Sequence, residues 1–227
     1  MKKAPAINEL LRVMARLRSP KGCPWDREQN HRTLRWHAVE EVYELLDAIE
    51  ARDDHEMTEE LGDLLLQVVF HCQLANERGA FDFEKVARHI TDKLIRRHPH
   101  VFGGVKVKNV DQVWANWEKI KRAEKHGTRH ARPSALDGIP KHLPALLRAE
   151  KLVKKARRAK IAKAPSGSHK LTRADLAKNL FELASYAQSK GWSAEELLRT
   201  EARKQEGIWR RLERKKGLSW PNDGLDY

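Results

Sequence analysis

The spacing of apolar positions is helical along almost the whole chain. Leu10, Val13, Met14 and Leu17 form the stripe of a first helix, which Ser19-Pro20 stops. The period is then lost over KGCPWDREQN (21–30), which reads as a Gly/Pro loop. In the next helix Val39, Val42, Leu45, Leu46 and Ile49 share one stripe. The polar stretch ARDDHE (51–56) closes it, and Leu61, Leu64, Leu65, Val68, Val69 and Cys72 form the stripe of its partner. So short a connection makes the two helices antiparallel neighbours, an αα-hairpin, and both stripes are expected to pack.

A break at Glu77-Arg78-Gly79 precedes Asp82, the expected cap of a helix carrying Phe83, Val86, Ile90 and Leu94 and ending at His98-Pro99. A loop rich in Gly and Val leads to a helix around VDQVWANWEKIKRAEKH (110–126). HARPSALDGIPKHLP (130–144) reads as a linker, and a basic helix runs from Pro144 to about Ala164. APSGSHK (164–170) is a second joint, and helices fill roughly 172–216. Strand-like alternation is nearly absent. The expected class is all-α, a helical bundle built on the hairpin with a second, smaller helical domain. The expected division is 1–130, then 131–170 as linker and basic helix, then 171–227.

Charge changes the picture more than composition does. The chain carries +13, which favours an anionic partner. Yet residues 40–63 hold eleven carboxylates against one cation, Arg52. Like charges one turn apart on a helix repel by about 0.2–0.5 kcal/mol per pair, so the crowding calls for a reason. Glu41 and Glu44 are three residues apart on one helix, and Glu60 and Asp63 repeat that spacing on the other. When the hairpin closes, two carboxylate pairs can converge. Oxygen donors without nitrogen or sulfur suit Mg²⁺ or Mn²⁺, not zinc or iron. The competing reading is a solvated acidic face.

No run of 18 apolar residues is present, which argues against a membrane span. The first twenty residues read as an amphipathic helix and not a signal peptide. Cys23 and Cys72 are too few for a disulfide framework and fit a reducing cytoplasm.

GCPWDREQ (22–29), VEEVYELLDAI (39–49), EELGDLLLQVVF (59–70), DKLIRRHPHVF (92–102), WEKIK (117–121), SALDGIP (134–140) and LPALLRA (143–149) stand in one order. In these residues the chain resembles the MazG family of nucleoside triphosphate pyrophosphohydrolases, an all-α superfamily, over roughly residues 8–160. The resemblance implies Mg²⁺-dependent hydrolysis of NTPs and dNTPs to monophosphate and pyrophosphate, nucleotide-pool housekeeping, and a homodimer of helical bundles. Carried over by position, the metal ligands are Glu41, Glu44, Glu60 and Asp63. The cation would activate a water for in-line attack on the α-phosphorus. Glu40, Glu41 and Glu60 form the expected catalytic set, with Glu40 orienting that water or helping hold the metal.

A triphosphate needs further positive charge. Lys93, Arg96 and Arg97 stand at helical spacing after the hairpin, where they are placed to grip phosphate oxygens. The resemblance favours Lys93 and Arg97, adds Lys121, and favours Trp117 for stacking on the base; Trp114 is assigned to core. Trp25 and Gln29 either wall the pocket or pin their own loop. His31, His37, His98 and His100 make no ligand pattern.

The later part departs from the family. ADLAKNLFELASYAQ and the twenty-five residues after it, to Glu213, resemble the closing helices of a repeated domain, but the first acidic helix is missing. Asp175 and Lys178 stand where E-x-x-D is expected. Residues 165–227 are therefore expected to be catalytically inactive. The basic helix either contacts nucleic acid or is solvated or docked on protein, and the latter is favoured because no aromatic platform is interleaved. The rival to an enzyme is a nucleotide-responsive or nucleic-acid-binding regulator that kept the bundle and lost turnover.

Overall fold

A computed structural model describes residues 5–124, 127, 128, 131, 133–163 and 171–216. Among them all regular structure is helical, and the chain divides into two compact units, Met1–Trp117 and Glu118–Tyr227. The joint expected at 164–170 lies outside the described residues.

The first unit opens with α1 (Ala6–Leu17). Its inward face is Ile7, Leu10, Leu11 and Met14, at i, i+3, i+4 and i+7, while Val13 is exposed. The stripe is thus rotated from the expected one. A tight turn comes next, in which Cys23 N–H donates to Leu17 O at 2.8 Å. A Cβ on Gly22 would lie 2.0 Å from that same oxygen, so the turn requires glycine. The segment read as pure loop contains one helical turn, α2 (Pro24–Glu28), because Pro24 at its first position supplies a helical φ and needs no donor.

The hairpin is α3 (His37–Ala51) and α4 (Asp54–Glu77). Arg52 adopts the left-handed conformation at the turn, and Asp53 caps α4 by accepting from His55 N and Glu56 N at 2.9 and 3.2 Å. α4 also packs on α1 and on α5 (Phe83–Arg97). Asp82 caps α5 through Lys85 N at 2.8 Å, as expected. Pro99–Phe102 forms a further turn, α6, where only a stop was expected. The core of the unit is Met14, Leu34, Val69, Phe70 and Leu74.

One expectation fails in an informative way. Most of the α3 stripe is not packed within the chain: of its members Leu45 alone turns inward, and Val39, Val42, Leu46 and Ile49 are all exposed. So are Leu61, Leu65 and Val68 of α4. The face of α3 turned to α4 is instead Glu41, Leu45 and Ala48, one residue away in register. An acid leads the packed face, and the apolar stripe is left on the outside.

Two contacts fix the loop before α3. Arg18, with its side chain 8% exposed, grips Glu77 through Nε and Nη2 at 2.7 Å each. Its Nη1 donates to the carbonyls of Asp26 and Gln29, and its guanidinium lies 5.6 Å over the Phe70 ring. Farther along, His31 and His71 stack at 5.0 Å with Nδ1 atoms 2.8 Å apart. That bond needs one donor and one acceptor, so at least one imidazole is neutral.

α7 (Val110–Ala123) contains the boundary between units. The second unit holds α8 (Ala145–Arg158), α9 (Arg173–Ser189) and α10 (Ala194–Lys215). The segment read as a linker is part of its core: Ala135 and Leu136 are buried with Leu152, Ala156, Ile161 and Ala202. Side chains from far along the chain cause this. Glu213 accepts from Ser134 Oγ at 2.6 Å and Ala135 N at 2.7 Å, and Arg210 pairs with Asp137 at 2.8 Å. α8 ends at Arg158, short of Ala164, because Lys160 turns left-handed and Ile161 N–H returns to Ala156 O at 2.8 Å.

Two outcomes test this account of the first unit. Arg18→Met should lower its unfolding free energy by about 2–3 kcal/mol, below the usual cost of a broken buried pair because Glu77 is partly solvated; denaturant melts measure it. Burial, aided by the charge of His31, holds the His71 pKa below its ordinary 6.5. The unfolded chain therefore takes up that proton more readily, so the contribution is complete above pH 6.5 and is lost as pH falls below it. Melts from about pH 7.5 to about pH 5 should show that fall, and His71→Gln should flatten it.

Candidate metal centre

The antiparallel pairing of α3 and α4 brings acids from both helices to one place. Glu41, Glu60 and Asp63 each offer a carboxylate oxygen, and these oxygens lie within 4.8 Å of one another. All three residues are half-buried. Glu44 is more exposed, one turn along α3, and its charge acts on both Glu41 and Glu60.

The electrostatics match the geometry. Burial first, then the charges of Glu44, Asp63, Glu41 and Glu59, push the Glu60 carboxyl above its ordinary range. Glu41 is also raised, again chiefly by burial; a hydrogen bond from Gln67 partly offsets this, and Asp63 and Glu44 add to it. Without a cation this cluster resists full ionisation.

Glu40 is not brought in. It sits on the adjoining exposed face with its carboxylate 3.7 Å from His37 Nδ1. One residue of register turns it about 100° from Glu41. A second cluster, His55, Glu56 and Glu59 on the first turns of α4, is exposed, as a solvated helix end is.

Two residues near the carboxylates were missed by the sequence reading. Gln67 is 8% exposed and donates from Nε2 to Glu41 Oε1 at 3.3 Å, and His71 pairs with His31. The signal was available. Asp63, Gln67 and His71 recur at four-residue steps on α4, so polar groups interrupt an apolar run on the face that carries the acids.

Of the expected cationic and aromatic residues, Lys93, Arg96 and Arg97 lie on α5, with Lys93 and Arg97 flanking the more apolar side of its last turns. The Arg97 guanidinium stands 5.3 Å over the Trp117 ring. Trp114 is not core: it is 59% exposed and meets Trp117 edge-on at 5.8 Å. Lys121 lies on α7 beside Glu118 at 3.5 Å. Gln29 Nε2 donates to Trp25 O at 3.0 Å, so Gln29 pins its own loop. On the basic helix, Arg148 pairs with Glu206 and Lys155 donates to the carbonyls of Ala135 and Asp137, which commits both cations within the second unit.

Residues 29–102 match the family model of the MazG nucleotide pyrophosphohydrolase domain. Over 150 residues the chain is 51% identical to the nucleoside triphosphate pyrophosphohydrolase of Escherichia coli (strain K12), covering 66% of this chain and 56% of that one. Over 157 residues it is 46% identical to the nucleoside triphosphate pyrophosphohydrolase/pyrophosphatase MazG of Thermotoga maritima, covering 69% and 59%. An uncharacterised 26.1 kDa protein of Streptomyces cacaoi is 40% identical over 196 residues, covering 86% and 77%. The chain thus spans little more than half the length of the E. coli and T. maritima relatives. The segment matched to the family contains all four carboxylates, the Gln67 contact and the Arg97 cation, and the chain belongs to the MazG family.

Proposed function

We propose that the first unit hydrolyses nucleoside and deoxynucleoside triphosphates to the monophosphate and pyrophosphate, using Mg²⁺ or Mn²⁺. The observation that carries this is the meeting of Glu41, Glu60 and Asp63 oxygens within 4.8 Å across the hairpin. The donor set fits the cation: carboxylate oxygens only, half-buried and mutually repelling, with no imidazole or thiolate among them. Glu41, Glu60 and Asp63 would hold it, with Glu44 from the next turn. When bound, the ion neutralises phosphate charge and makes a water a better nucleophile.

The chain's own residues supply the rest. Water oxygen bonds to the α-phosphorus, the bond from that phosphorus to the α,β-bridging oxygen breaks, and pyrophosphate departs with the electron pair. Lys93 and Arg97 would bind the outgoing phosphates, and Arg96 lies beside them on α5. Trp117 offers a π-face to any base, which fits broad nucleotide use; the guanidinium of Arg97 already rests on the ring. Lys121, the third expected phosphate contact, lies on α7 within the second unit, and no role in the first unit's site is assigned to it. Glu40 is left outside the ligand set, with at most an auxiliary part in placing the water.

The exposed apolar stripe supports a homodimer. Val42, Leu46, Leu65 and Val68 lie open on neighbouring helices, an apolar face that a second copy of the chain would cover. Both cysteines are free, which suits work in the cytoplasm. Among the described residues no helix is long and apolar enough to cross a membrane.

Pyrophosphate release over a panel of NTPs and dNTPs tests the activity. Glu60→Gln should reduce it about 100-fold or more with an unchanged helical CD spectrum. Glu40→Gln should cost less than about 10-fold. Mg²⁺ should raise the melting temperature of the unaltered chain but not of Glu60→Gln. Turnover that survives Glu60→Gln would sink the ligand assignment. Sedimentation velocity tests the assembly: the unaltered chain should run as a dimer, and Leu46→Glu with Leu65→Glu as a monomer.

A further inference from the structure

Gln67 holds a position that neither the carboxylate motif nor the proposed reaction accounts for. It lies one turn beyond Asp63 and two beyond Glu60, on the side of α4 that faces α3. The residue is 8% exposed, and its amide nitrogen donates to Glu41 Oε1 at 3.3 Å. Once ionised, as a metal ligand must be, the Glu41 carboxylate only accepts, and the amide already presents its donor to it; turned over, it would set two acceptors against each other. Its other end, Oε1, is buried and has no hydrogen-bond partner among the described residues. A buried acceptor left without a donor costs about 1–3 kcal/mol, and a packing role alone would be served better by leucine or methionine.

We propose that Gln67 is a positioning residue for the metal ligand Glu41. Its N–H holds one carboxylate oxygen, which fixes the plane of the group and leaves the other oxygen for the cation. Its own carbonyl oxygen is left to accept from a water at the site. Residue type matters here. A carboxylate at 67 would add another negative charge to the cluster, and an apolar side chain would let Glu41 rotate. Only a neutral side chain with both a donor and an acceptor serves both neighbours. The inference rests on the metal reading of Glu41, Glu60 and Asp63.

Mn²⁺ titration of the whole chain, followed by the EPR signal of the free ion, tests it without reference to turnover. Gln67→Met keeps length and volume, and Gln67→Leu stands beside it in case one variant folds poorly; CD and melting temperature report folding. Either folded variant should bind Mn²⁺ about 10–100-fold more weakly. In a Glu41→Gln background the same change should cost less than about 3-fold, because Gln67 acts through Glu41. In a Glu44→Gln background the full loss should remain. Unchanged Mn²⁺ affinity in Gln67→Met and Gln67→Leu overturns the inference alone, as does an equal loss with and without Glu41. Failure of the unaltered chain to bind Mn²⁺ overturns the metal reading, and the inference with it.

Discussion

Three carboxylates held close together are the constraint that the first unit is organised to satisfy. Left to itself, a hairpin whose two helices both bring acids to the seam would open. It stays shut because α4 is anchored on its far side, where Val69, Phe70 and Leu74 pack with Met14 and Leu34. Leu45 and Ala48 continue the α3 side of the seam below Glu41. Hydrophobic burial therefore sets the helices, and the carboxylates are carried into place by them. The raised pKa of Glu60 and Glu41 measures the cost of that placement in a metal-free chain. A bound cation removes the cost, so binding and local stability rise together.

The same constraint explains why α3 turns its best apolar stripe outward. Helical positions 41, 45 and 48 and positions 42, 46 and 49 are neighbouring faces about 100° apart, and only one can meet α4. With the acidic face turned inward, Val42, Leu46 and Ile49 are left for another surface. The carboxylate cluster and the outward apolar face are thus coupled through one helix rotation. Arg18 and the His31–His71 pair then hold the preceding loop to α4, so the start of α3 is placed from two sides.

Much of this was legible in the sequence, and the failures have physical reasons. Caps and breaks are local chemistry, and so Asp82, the Gly79 turn and the hairpin connection read correctly. Facing is not local. Periodicity finds the stripe on α3 but does not say whether it meets this chain or another, and it misplaced Val13 in the same way. Trp114 looked like core for want of a partner to judge it against. The Pro/Gly/Ser composition of residues 133–144 reads as linker, yet Glu213, Arg210 and Arg199 reach it from α10, far along the chain. Lys160 ends α8 in a conformation that glycine usually signals, so the sequence carried no warning. The meeting of Glu41, Glu60 and Asp63 was readable because acids three apart on two adjoining helices form a pattern, although Glu44 stays more exposed. Gln67 was not, because a single amide in an apolar run resembles noise until its partner is seen.

The second unit bears on why it holds no comparable acidic site among its described residues. The turn from α9 to α10 repeats that from α4 to α5: Gly79 and Gly191 have φ of 67° and 70°, and Asp82 and Ser193 cap α5 and α10 in turn. The polar groups at the corresponding acidic positions are committed elsewhere. The Asp175 carboxylate accepts from Thr172 N and Oγ1 at 3.1 and 2.7 Å, closing a capping box, and this holds its pKa down. Lys178 faces Glu182 at 3.7 Å and presents a cation where a divalent ion would need an acid. Five charged residues of α10 share one face, Glu195, Arg199, Glu206, Arg210 and Glu213, and hold the 134–145 segment and α8. In the first unit Glu41, Glu60 and Asp63 repel one another across the α3–α4 seam, whereas Glu195, Glu206 and Glu213 are each matched to a donor or a guanidinium. A matched acid stabilises its own unit with oxygens already turned to another donor, so the helix–turn–helix pattern persists while its acids serve packing.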